Sequence, residues 1–82
     1  MREEQIFEMV VLIICEVIPG LEFHVFKPDD YLVDLGANSV DRAEIIMLAL
    51  EELSLTTPRI ELSEAKSIAD LVRILYGKTH SI

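Results

Sequence analysis

The chain has 82 residues, 15 of them acidic and 7 basic, for a formal net charge of −8. A chain of this size buries only about 60% of its unfolded surface, which argues against a deep substrate cavity and a self-contained active site. The acidic balance argues against nucleic acid and anionic membrane surfaces, which draw on clustered Lys and Arg, and favours basic patches on other proteins. A hydrophobic fraction of 51% is too high for disorder, and the absence of Trp makes the core aliphatic.

In chain order, the start Met1-Arg2-Glu3-Glu4 is acidic and unlike a secretory leader. Ile6, Val10, Ile13, Ile14 and Val17 then share one face of a helix over residues 3–18, with Glu4, Glu8 and Glu16 opposite. Its most apolar run, residues 9–15, is far short of the roughly 20 residues of a membrane span. The lone Cys15 permits no intrachain disulfide and reads as a small, partly buried side chain. Cytoplasmic is the expected address. Pro19-Gly20 stops the helix.

Residues 21–38 form a long connection with turn chemistry at Pro28-Asp29-Asp30. Phe23, Val25, Phe26, Tyr31, Leu32 and Leu35 are too many apolar groups for a solvated loop, so they are expected to pin it to the helices. A second helix spans residues 39–53, with Ala43, Ile46, Ala49, Leu50 and Leu53 on its inner face and Ile45 beside it. Asp41, Glu44, Glu51 and Glu52 lie on the outer face, with Val40, Met47 and Leu48 near them. Thr56-Thr57-Pro58 breaks the chain, and a short helical turn is expected over residues 60–62. Ser67 and Asp70 frame a capping box, after which Ile68, Leu71, Val72 and Leu75 give a third main helix. Gly77 is expected to end it, with residues 78–82 as a frayed tail. No linker or repeat interrupts the chain. The expectation is an all-α four-helix bundle in a single domain over residues 1–82, with three main helices, one short helix and a long loop after the first.

The most informative stretch is Asp34-Leu35-Gly36-Ala37-Asn38-Ser39-Val40-Asp41-Arg42-Ala43-Glu44-Ile45. Gly36 lets the chain turn, and Asn38 or Ser39 caps the helix that follows. Ser39 stands at the helix mouth, where free N–H groups and the positive end of the helix dipole accommodate a phosphate. By itself this pattern also describes an ordinary N-cap. Other constellations are weak. Asp29, Asp30, Asp34, Asn38 and Asp41 lack calcium-loop spacing, and His24 and His80 have no nearby Cys or His, so no metal site is expected. No glycine follows Ser39 as a nucleophile elbow requires.

This stretch resembles the attachment motif of acyl carrier proteins, Gly-x-Asp-Ser-Leu followed by an acidic residue. Asn38 and Val40 stand where that family usually has Asp and Leu. The resemblance covers the whole chain. It implies an acyl-carrier-like bundle in which Ser39 carries a covalent 4′-phosphopantetheine arm from coenzyme A, whose thiol holds acyl groups as thioesters. It implies a carrier with no catalytic residues of its own. The second helix becomes the recognition element, with Val40, Asp41, Glu44, Met47 and Glu51 as docking residues.

The two departures, with Asp41-Arg42-Ala43-Glu44, make the chain similar to freestanding polyketide carriers of β-branching cassettes, with a place in antibiotic biosynthesis. The cargo so implied is malonyl, decarboxylated to acetyl. The partners so implied are a phosphopantetheinyl transferase, a malonyl acyltransferase, a decarboxylating ketosynthase and an HMG-CoA-synthase-like enzyme, met by a monomer. The rival readings are an unmodified acidic helical adaptor, and a carrier for fatty acid or nonribosomal peptide synthesis.

Overall fold

A computed structural model describes residues 1–80. Three α-helices carry the fold: α1 (Glu3–Val17), α2 (Ser39–Glu52) and α3 (Ile68–Thr79). The expected fourth helix is a single 3-10 turn, Arg59–Leu62, and a second such turn, Val33–Leu35, lies in the long connection. Four residues after Pro58 are too few to nucleate an α-helix, because the first turn fixes several dihedrals for one hydrogen bond.

The heptad-like spacing in α1 buries Ile6, Val10, Ile13 and Ile14. They meet Ile45, Ile46, Ala49 and Leu50 of α2 and Ile68, Leu71, Val72 and Leu75 of α3 in one aliphatic core. α1 is the central strut, packing on both other helices, while α2 also touches the Arg59–Leu62 turn. Val17, Ala43 and Leu53, expected on inner faces, are half-buried. Cys15 is free and half-buried, as its place in α1 predicts. No helix among the described residues is long and apolar enough to cross a membrane.

The connection after α1 is pinned, by fewer side chains than its composition suggests. Leu32 and Leu35 are buried and Phe26 is half-buried, whereas Phe23 is 97% exposed and Val25 and Tyr31 are also exposed. Backbone hydrogen bonds supply the rest. Leu32 N–H donates to Lys66 O at 2.9 Å, Ile68 N–H to Asp30 O at 3.0 Å, and Ala69 N–H to Pro28 O at 2.8 Å. Tyr31 and Ser67 pair in an antiparallel bridge. The loop therefore caps the start of α3, whose first N–H groups lack intrahelical acceptors.

Two carboxylates secure this junction. Asp30 Oδ2 accepts from His24 Nε2 at 3.0 Å and from Lys27 N–H at 2.9 Å, which hold its carboxyl below the usual carboxylate range. Asp70 Oδ2 accepts from the N–H groups of Lys66 and Ser67, with the same effect.

One helix end falls where expected and one does not. α2 ends at Glu52 with Leu53 as its C-cap, where Leu55 N–H and Ser54 N–H fold back on Leu50 O and Glu51 O. That is the Schellman arrangement, with Ser54 (φ 54°) in the left-handed position usually taken by glycine. α3 does not end at Gly77 but runs through it to Thr79. Past the glycine, Lys78 Nζ pairs with Glu61 Oε1 at 2.6 Å and the Tyr76 and His80 rings stack at 4.1 Å. These contacts offset part of the roughly 1 kcal/mol a helical glycine costs. Of the expected frayed tail, Lys78 and Thr79 are helical and His80 is the C-cap with its N–H on Tyr76 O, while Ser81 and Ile82 lie outside the described residues.

Candidate functional site

The site is built by the turn that delivers the chain into α2. Gly36 ends the Val33–Leu35 turn with φ 96°, a conformation that a Cβ would strain. Ala37 is buried behind it and its N–H donates to Leu32 O. Asn38 is extended and is the N-cap. Its Oδ1 accepts Asp41 N–H at 2.8 Å, and Asp41 Oδ2 accepts Asn38 N–H at 3.2 Å. Of the two capping candidates, Asn38 therefore does the capping, and Ser39 is the first helical residue with its side chain exposed.

That division frees the serine. A capping hydroxyl is occupied by an N–H donor, whereas Ser39 projects from the helix mouth beside N–H groups that have no acceptor within the helix. A groove of about 430 Å³ opens at Ser39 between α2 and the Arg59–Leu62 turn. Ala43, Ile46, Ile60 and Ala65 form its apolar wall, and Arg42 and Arg59 bring charge. Sequence reasoning did not single out Arg42, Arg59 or Ile60 as part of the site. Arg42 was within reach, because it follows Ser39 by three residues and so shares its helix face. Arg59 and Ile60 come from another element, and only the fold places them there.

The expected docking residues divide as well. Val40, Glu44, Met47 and Glu51 follow one another at helical spacing and form a single exposed stripe down α2, with Val40 72% and Met47 43% exposed. Asp41 is half-buried and committed to the capping box. Leu48 is half-buried against the core rather than part of the stripe. His24 is engaged with Asp30 and His80 stacks on Tyr76, both far in sequence from Ser39.

Comparison with known proteins bears on this geometry. Residues 10–75 match the family model described as the phosphopantetheine attachment site. The chain is 56% identical over 81 residues to the polyketide biosynthesis acyl-carrier-protein AcpK of Bacillus subtilis (strain 168), covering 99% of both chains. It is 36% identical over 58 residues to an acyl carrier protein of Guillardia theta, covering 71% of this chain and 72% of that one. Among solved structures it resembles a chain of the curacin-pathway HMG synthase in complex with an acetyl donor acyl carrier protein. That match has a TM-score of 0.86 and 45% identity, and covers 93% of this chain and 96% of that chain.

The cofactor these relatives imply is covalent 4′-phosphopantetheine. An exposed hydroxyl at a helix mouth, with unsatisfied N–H groups around it and a groove alongside, fits the phosphate and chain of that group. When attached, the group supplies a thiol on which acyl groups ride as thioesters. Sequence, fold and cofactor converge: the chain belongs to the phosphopantetheine-attachment family as an acyl carrier protein of polyketide biosynthesis.

Proposed function

We propose that Ser39 is the attachment residue and that the protein is a non-catalytic, cytoplasmic carrier domain spanning residues 1–82. It acts as a monomer, presenting short acyl thioesters as an acetyl donor for β-branching. The observation that carries this reading is the exposed Ser39 side chain at the mouth of α2, left free because Asn38 takes over the cap. A phosphopantetheinyl transferase joins the Ser39 Oγ to the phosphopantetheine of coenzyme A, and adenosine 3′,5′-bisphosphate leaves. Tethering then turns each meeting with a partner enzyme into a local event at high effective concentration.

The donor role draws support from the likeness to the chain solved with an HMG synthase. The partners that follow are a malonyl acyltransferase, a decarboxylating ketosynthase and an HMG-CoA-synthase-like enzyme. The α2 stripe of Val40, Glu44, Met47 and Glu51 is the surface they meet, with Asp41 acting on it through the cap that orients its first turn. Acidic groups there speed encounter with basic enzyme surfaces, and the two apolar side chains lengthen residence.

Incubation with coenzyme A and a promiscuous transferase, followed by intact mass measurement, tests the assignment. The wild type is expected to gain one phosphopantetheine and Ser39→Ala none. Equal gain in both, or none in the wild type, sinks it.

A further inference from the structure

Four cations enter no ion pair among the described residues, Lys27, Lys66, Arg42 and Arg59, and the last two line one groove. Of the basic side chains, Arg2 pairs with Glu4, Arg73 with Asp70 and Lys78 with Glu61. Among the described residues Arg42 and Arg59 enter no ion pair, although the chain carries 15 carboxylates. Both line the groove that opens at Ser39, and no acidic residue lines it with them. The Arg42 Nε is buried and has no hydrogen-bond partner. A buried donor left unmatched is costly, more so when charged, and an acceptor entering the groove would give the Arg42 guanidinium a partner.

We propose that this groove is an anion subsite for the tethered cargo, in which Arg42 and Arg59 hold the free carboxylate of a short dicarboxylic acyl thioester. The inference rests on Ser39 being the tether. A guanidinium fork matches a carboxylate with two parallel hydrogen bonds, and the planar cation is weakly enough hydrated to work in a partly buried groove. The arm's own phosphodiester is the other anion nearby. It is fixed at Ser39, however, where the N–H groups of the α2 mouth already serve it. The groove reaches past that point to Ile46, two helical turns on, and across to Arg59 and Ser63 on the opposite wall. What fills that reach is the far end of an arm folded back along the apolar wall.

The charge on the cargo decides occupancy. The phosphodiester stays with the N–H groups of the α2 mouth, and the cargo carboxylate is the second anion, which the two guanidiniums hold. Decarboxylation removes the second anion: a malonyl thioester takes up one proton, loses carbon dioxide and becomes an acetyl thioester. The subsite then has nothing to hold, and the neutral acetyl group is released for transfer. The groove thus reads whether the cargo has been decarboxylated.

Loading the protein enzymatically with isotope-labelled arms separates the possibilities. Three cargoes are compared with the unacylated holo form: malonyl, acetyl, and isovaleryl, which replaces the two carboxylate oxygens of malonyl by methyl groups. The readouts are the amide resonances of residues lining the groove and the side-chain Nε resonances of Arg42 and Arg59. The malonyl form is expected to shift these signals away from the holo positions, and the acetyl and isovaleryl forms to leave the arginine Nε signals unmoved. Arg42→Gln with Arg59→Gln, once its malonyl loading is verified by intact mass, is expected to lose the malonyl-specific shift. Equal shifts for malonyl and isovaleryl would reduce the groove to an apolar cradle and overturn the proposal. Nε shifts complete in the holo form assign the arginines to the phosphodiester and overturn it as well. A failure to gain mass on loading is a different result, because it removes the tether itself.

Discussion

Asn38 and Ser39 are adjacent residues of similar capping ability, yet the backbone gives them separate work. Asn38 is extended and closes a reciprocal cap with Asp41, while Ser39 is helical and points outward. Asn38→Ala is therefore expected to lose about 1 kcal/mol of unfolding free energy, seen as a lower urea midpoint at unchanged slope. Ser39→Ala is expected to stay within about 0.5 kcal/mol of wild type, since Ser39 caps nothing and Ala is the better helix former. Reversed costs in the two variants would mean that Ser39 is the cap and its hydroxyl is not free. Sequence alone left both residues open because both types cap well. The choice lies in backbone dihedrals set by the turn at Gly36 and the burial of Ala37.

Among the elements, α3 shows how tertiary contacts override a local stop signal. Gly77 sits inside the helix and a Cβ built there meets nothing within 4 Å. Gly77→Ala is therefore expected to stabilise the protein by about 1 kcal/mol in chemical unfolding, whereas a glycine needed for a left-handed stop would make the same change destabilising. The loop–α3 junction carries an acid-sensitive lock. Asp30 and Asp70 both have carboxyl pKa values lowered below 3.8 by hydrogen bonds made only in the fold. Their stabilisation is thus complete above the unfolded value and lost as pH falls through the folded values. Thermal unfolding followed from about pH 6 down to about pH 3 is expected to show a fall in midpoint that flattens in Asp30→Asn and Asp70→Asn. An unchanged slope in both variants would place the acid sensitivity elsewhere. The pinning of this loop was legible in its apolar content, but its means were not. Backbone bonds between residues 28–32 and 66–69 join segments far apart in sequence.

At the scale of the whole molecule, the excess of 15 acidic over 7 basic residues is not confined to one helix, since α1 carries Glu3, Glu4, Glu8 and Glu16. What distinguishes α2 is that acids and exposed apolar groups alternate down one stripe beginning next to Ser39. Glu44→Lys with Glu51→Lys is expected to slow association with an HMG-CoA-synthase-like partner by about tenfold at low salt. Most of that difference is expected to vanish once the Debye length shrinks to about 3 Å at 1 M salt. Unchanged association kinetics would place docking on another face. By itself the sequence determined the helix order and the inner face of each helix, which follow from periodicity and local capping chemistry acting over a few residues. The attachment motif was legible only through its resemblance to acyl carrier proteins, because the same residues also describe an ordinary cap. The tertiary structure alone decided that Ser39 is free rather than capping and that Ser54 takes the left-handed position after α2. It alone carried α3 past Gly77 and faced Arg59 toward Arg42 across one groove. Each of those outcomes depends on groups distant in the chain, or on dihedrals that packing selects among locally similar choices, and no short-range pattern records them.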